Sequence, residues 1–236
     1  MFFNRKYRNL YLLAIVFFLI GAVFHSLEVF FVYRAIRGVI QFTFAIIPLM
    51  VIKEEKPVFL PLYLLLSAVA SFLTIGFEIA FLADLSIVFN ALAYVFFAIA
   101  VYQQTDFRKV SKVLLAVFVL LLTINGYLCY EFSLVLEPYF NSQFTLWLVN
   151  IQTFIIISLL FLTLVYNYIH SNTYSWTLTL AVLAMFFSEV FRGIGYYDII
   201  FPTVAVYLAR ILLLFSAFNI AVFLMEVSKK SKKDLF

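Results

Sequence analysis

Cysteine occurs once in the 236 residues, at Cys129, which excludes an internal disulfide and any multi-cysteine metal site. Histidine occurs only at His25 and His170, both at expected helix ends, so the His-rich ligand set of a zinc hydrolase cannot be assembled. Glycine and proline are also scarce, six and five residues lying mostly at helix ends. That argues against a transporter or channel, whose helices are usually broken by such residues at the binding site. Charge is scarce as well. Only 12% of residues are charged and 66% are hydrophobic, with mean hydropathy +1.10. Soluble domains are about 25% charged, and a soluble chain of this size could not cover so much apolar surface. The apolar runs are continuous and helix-length, about 20 residues each, not the short alternating stretches of an outer-membrane barrel. The chain reads as an all-α, polytopic integral membrane protein.

Eight transmembrane helices are expected, roughly at 9–26, 29–52, 57–81, 85–104, 110–130, 144–169, 174–197 and 203–227. Residues 57–103 form one apolar stretch too long for a single span, and Asp84 is the natural break. Asp198 and Pro202 mark a clearer boundary, because Pro starts helices and rarely sits inside them. The first segment, preceded by Arg5, Lys6 and Arg8, resembles a signal peptide. No A-x-A-like cleavage site follows, so it is read as a retained helix. Residues 1–228 then form a single eight-helix domain and 229–236 a short basic tail.

The loops orient the bundle. Basic residues precede helix one, follow helix two (Lys53, Lys56), follow helix four (Arg108, Lys109, Lys112) and follow helix eight (Lys229, Lys230, Lys232, Lys233). Eight helices put all of these on one side. The opposite loops hold no Lys or Arg, only acids such as Asp84, Glu131, Glu137 and Asp198. The positive-inside rule places the protein in the cell (inner or plasma) membrane with both termini cytoplasmic. The net charge of +4, without a soluble basic domain, implies contact with membrane lipids and not with nucleic acid.

Against this background six charges stand inside the apolar segments: Arg34, Arg37, Glu78, Glu189, Arg192 and Arg210. A charge near a bilayer centre costs about 2.5–3.5 kcal/mol on insertion scales. At ~1.5 Å per residue, Glu78 lies ~9 Å below the break at Asp84, Glu189 ~13 Å below Asp198, Arg210 ~12 Å past Pro202, and Arg34 and Arg37 ~9 and ~13 Å past Glu28. Asn90 and Asn150 fall at similar depth. Six helices therefore offer polar groups in one layer of the outer half of the membrane. Plainer readings exist for each. Glu189 and Arg192 neutralise each other at i, i+3. Arg34 and Arg37 snorkel to headgroups. The asparagines glue helices together.

Two stretches look alike: Gly76-Phe77-Glu78 with Tyr102 on the next helix, and Phe187-Ser188-Glu189 with Tyr207-Leu208-Ala209-Arg210 on the next. Helices 1–4 and 5–8 would then be a 4+4 parallel internal repeat. The pattern resembles the YhhN family, eight-helix membrane proteins that include the lysoplasmalogenases. Glu78 stands at that family's first Asp, with Gly76 one residue further back than its Gly. Tyr102 stands at its Tyr, Ile99 at its His, Ser188-Glu189 at its Ser-Asp, and Arg210 at the Gln of the last run. The resemblance implies hydrolysis of the vinyl-ether bond of a lysophospholipid, giving a fatty aldehyde and a glycerophospho-head group, without cofactor or metal. Glu78 is the candidate acid and Glu189 the ionised partner near Arg192 and Arg210. Arg34 and Arg37 are candidates for the lipid phosphate, and Asn90, Arg192, Tyr207 and Arg210 for the rest of the substrate site. A homodimer is compatible with such a bundle.

Ile99 and Arg210 depart from the family pattern, so a catalytically inactive lipid- or ligand-binding protein of the same fold is the alternative, followed by a small transporter. A retinal photoreceptor is excluded because every lysine lies at a helix end or in a tail, and a Ser-His protease because neither histidine sits at a serine's depth. The charge pattern predicts that a fluorescent protein fused to the C-terminus glows, while alkaline phosphatase fused there is inactive. Phosphatase activity at that end would overturn the eight-helix orientation.

Overall fold

The computed structural model describes residues 7–51, 59–140, 142–196 and 201–227. All regular structure among them is helical: α1 (Arg8–Ser26), α2 (Phe30–Val51), α3 (Phe59–Leu73), α4 (Ala80–Tyr102), α5 (Lys112–Leu136), α6 (Gln143–His170), α7 (Thr173–Tyr196) and α8 (Pro202–Val227). Eight segments are long and apolar enough to cross a membrane. Large apolar side chains cover their outer faces, as on α1 (Leu12, Ile15, Leu19) and α5 (Val117, Leu120, Ile124). Such a surface suits lipid, not water. Arg5, Lys6, Lys53, Lys56, Asp198 and the basic tail lie outside the described residues.

The helix ends follow local chemistry. Ser111 Oγ accepts from the Leu114 N–H at 3.2 Å to open α5, and Ser142 Oγ does the same for the Thr145 N–H in α6. Asn172 Oδ1 caps α7 through the Tyr174 and Ser175 N–H groups, both at 2.9 Å. Ser171 closes α6 in the left-handed region with φ 43°. Pro202 opens α8 where its missing N–H is harmless.

The α3–α4 break falls at residues 77–79, not at Asp84. Helix α3 tightens into a 3-10 turn over Thr74–Gly76 and the chain folds straight back into α4. Leu82 packs against Gly76, where a Cβ would sit 2.5 Å from Leu82 Cδ1 and the leucine would have to shift. Asp84 lies inside α4 instead, where its carboxylate accepts from Thr145 Oγ1 of α6 at 2.8 Å. This shift moves Glu78 out of a helix and into the turn.

Helices α2, α3, α4, α6, α7 and α8 close a ring in that order, each packed on the next and α8 on α2. Helix α1 leans on α2 and α8, and α5 on α6. One apolar core, around Tyr63, Phe97, Leu159, Val182 and Phe223, joins α3, α4, α6, α7 and α8. A second, around Ile40, Phe44, Phe218 and Ala221, joins α1, α2 and α8. Hydroxyls pin neighbours together inside the apolar medium: Ser86 to Ala70 O (3.0 Å), Thr179 to Thr163 O (2.9 Å) and Ser188 to Ala209 O (2.8 Å).

Helices α7 and α8 approach closely at Gly195, where a Cβ would lie 2.7 Å from Val206 Cγ2 and 3.0 Å from its backbone N. Backbone cannot swing aside as a side chain can. Gly195→Ala is therefore expected to destabilise the protein by about 1–3 kcal/mol, the usual range for overpacking, read as a lower melting temperature in detergent. An unchanged melt would mean that the two helices are not held this tightly.

Candidate functional site

A chamber of about 840 Å³ opens at one end of the bundle. Its walls are the C-terminal ends of α1, α5 and α7, the first turns and middles of α2, α4, α6 and α8, and the turn after α3. Consecutive helices therefore alternate in direction, and this is the end whose loops carry no Lys or Arg. The volume lies within the ~300–1,000 Å³ usual for small-molecule sites. Phe132, Leu136, Val149, Ile156 and Leu213 make part of the lining apolar; Arg34, Arg37, Glu189, Arg192 and Arg210 make another part charged.

Glu189 is the hub. Its side chain is 13% exposed and is paired with Arg192 one turn along α7. Arg37 Nη2 of α2 stands 3.6 Å from its Oε1. The Tyr94 hydroxyl of α4 donates to it at 3.4 Å, and Gln152 Nε2 of α6 at 3.5 Å. Four helices thus meet at one carboxylate. That arrangement does more than the i, i+3 pairing visible in sequence.

Arg210 of α8 is 4% exposed and has no carboxylate partner among the described ion pairs. Its Nη2 donates to the Tyr33 carbonyl at 3.1 Å, and its guanidinium lies 4.2 Å over the Tyr33 ring. Among the described residues, two buried donors, Arg210 Nη1 and Arg37 Nε, have no hydrogen-bond partner. Buried polar groups are normally satisfied, so two orphaned guanidinium N–H groups at one chamber need explanation.

Glu78 departs from expectation. It sits in the α3–α4 turn with its side chain 67% exposed, paired with Arg34. It is not part of the chamber lining. The hydrogen bond from Arg34, seconded by one from backbone N–H, holds its carboxyl below the usual carboxylate range. A general acid needs the opposite shift. Glu78 and Glu189 are therefore not levelled counterparts: one is at the rim, the other seven residues inside α7.

Tyr207 lines the chamber with its ring 5.2 Å from His25, which also meets Tyr33 at 5.1 Å. Asn90 lies deeper. It lines a crevice of about 10 Å³ beside Arg37, Tyr94 and Glu189, just below the chamber. Asn150 faces the other way and accepts from Ser133 Oγ of α5 at 2.7 Å. Tyr102 is 61% exposed at the far end of α4, packed near Phe107, and Ile99 shares that last turn. Neither reaches the chamber.

The residues missed in sequence are Tyr94, Gln152, Tyr33 and His25. Tyr94 follows Asn90 by four on α4, one turn along the same face, and that spacing was a usable signal. Gln152 was masked by Asn150. Two residues apart on a helix, they point nearly opposite ways, and only Gln152 faces Glu189.

Compared with models of protein families, with curated proteins and with solved structures, the chain matches none.

The Arg34–Glu78 pair should carry little stability because it is exposed, under about 1 kcal/mol. Its sign is fixed by the lowered carboxyl: the contribution is present above the unfolded value of about 4.3 and fades as pH falls through the folded one. Thermal unfolding of Glu78→Gln against wild type is expected to differ slightly at pH 7 and to converge in acid. A large loss at pH 7 would show that Glu78 is buried in solution.

Proposed function

We propose that this chain is a multi-pass membrane protein whose chamber binds a single-tailed anionic lipid of the lysophospholipid class. The observation that carries the reading is the pair of guanidinium donors without a hydrogen-bond partner among the described residues, Arg37 Nε and Arg210 Nη1, at the charged side of a chamber whose lining also includes Phe132, Leu136, Ile156 and Leu213. A buried, uncompensated guanidinium is expensive to keep, and an anionic headgroup relieves that cost while its tail lies along the apolar wall. The basic loops, all at the other end, support a chamber that opens on the non-cytoplasmic side of the cell membrane.

A second reading is YhhN-like vinyl-ether hydrolysis in the same chamber. The packing order favours it, since exchanging α1–α4 with α5–α8 turns the α4–α6 contact into α8–α2, as a 4+4 repeat requires. The reaction adds a proton to the vinyl carbon and the oxygen of water to the adjacent carbon. Collapse of the resulting hemiacetal releases aldehyde and alcohol. Glu189, held among Arg192 and Arg37, suits the ionised carboxylate that stabilises the cation and takes water's proton. The acid is the weak point. Glu78 is at the rim, and the hydroxyl donating to Glu189 is the phenol of Tyr94. With Ile99 and Tyr102 at the far end as well, binding is the better-supported reading. The transporter reading has less support: α2, α7 and α8 run unbroken past Arg34, Arg37, Glu189, Arg192 and Arg210.

Cys129 lines the chamber and is half-buried. With the full chain in detergent, a lysophospholipid is expected to slow maleimide labelling of Cys129, and lipid extraction of the purified protein is expected to recover single-tailed anionic lipid. Unslowed labelling and no recovered lipid would sink the binding reading. Incubation with a vinyl-ether lysolipid separates the other one: aldehyde release that disappears in Glu189→Gln supports hydrolysis, and binding without aldehyde discards it.

A further inference from the structure

The charge inside the chamber discriminates between headgroups. Arg34 is closed onto Glu78, and Glu28 stands exposed at the mouth. Below them the wall carries Arg37, Arg192 and Arg210 against Glu189. Three guanidinium groups, charged at any physiological pH, face one carboxylate, so two positive charges remain uncompensated. We infer that the chamber prefers a lipid whose headgroup is a phosphate monoester over one carrying a zwitterionic phosphodiester. The inference rests on reading the chamber as a single-tailed lipid site.

A phosphate monoester carries about −1.5 to −2 charges at pH 7 and three strong acceptor oxygens. That matches the excess charge and supplies acceptors for the orphaned Arg37 Nε and Arg210 Nη1. A zwitterionic phosphodiester brings a single negative charge and adds a cation among arginines. Beside the arginines, the groups that could hold that cation are already engaged. Glu189 is taken by Arg192 and Arg37. Tyr33, the ring beside these arginines that could hold a quaternary ammonium, is already covered, because Arg210 lies 4.2 Å over it. A fatty acid brings one charge and two acceptors, and fits less well than the monoester for the same reason.

The test compares protection of Cys129 from maleimide, in the full chain in detergent, by lysophosphatidate, lysophosphatidylcholine, a fatty acid, monoacylglycerol and inorganic phosphate. Lysophosphatidate is expected to bind at least about tenfold tighter than lysophosphatidylcholine, the effect of one charge-assisted hydrogen bond. Arg210→Gln should bring that ratio close to one. Arg210→Lys, which keeps the charge and loses the fork, should fall between and serves if the glutamine variant does not fold. Equal affinity for the two lysolipids overturns the inference but leaves the lipid chamber standing. Protection by phosphate as strong as by lysophosphatidate makes this a soluble-anion site and overturns both, as does no protection by any of the five.

Discussion

The convergence of four helices on the Glu189 carboxylate is the constraint around which the end of this bundle is arranged. Arg192 reaches it along α7, Arg37 across from α2, Tyr94 from α4 and Gln152 from α6. In a low-dielectric interior a single carboxylate cannot remain without partners, so the helices supplying them are held in fixed rotation. Arg210 is left out of this arrangement. It is satisfied only in part, by the Tyr33 carbonyl and ring. The chamber is thus polarised: Glu189 shared by two arginines stands beside a guanidinium on α8 with no carboxylate among the described ion pairs.

The same arrangement separates binding from chemistry. Two carboxylates sharing one water would give acid and base together, but the α3–α4 fold-back at Gly76 puts Glu78 on the rim, where Arg34 keeps it ionised. What remains in the chamber is cationic excess and an apolar wall, which is the chemistry of holding an anionic amphiphile. Catalysis would need a proton donor other than Glu78.

Much of the fold was legible from the chain. Eight apolar runs, the alternation of basic and acid loops and the Pro202 start of α8 are local properties, and all described helix boundaries but those around α3–α4 and the end of α5 fall within a few residues of expectation. The exception at α3–α4 is instructive. Asp84 looked like a break because it is an acid near the middle of a long apolar stretch, yet Thr145 of another helix satisfies it.

The site was half legible. That Arg37, Glu189 and Arg210 lie near one level followed from depth, because charges inside apolar helices must find one another near the same level, but depth also put Glu78 and Asn150 there. Depth is one coordinate of a helix; rotation is the other, and rotation depends on packing. Sequence therefore determined that this is an all-helical chain with spans enough to cross a membrane eight times and a charged layer near one end. Only the tertiary structure decided that Gln152 and not Asn150 turns inward, that Tyr94 and not Tyr102 meets the carboxylate, and that Glu78 stays outside. Those choices are made by which face each helix buries against its neighbours, and no single segment contains that information.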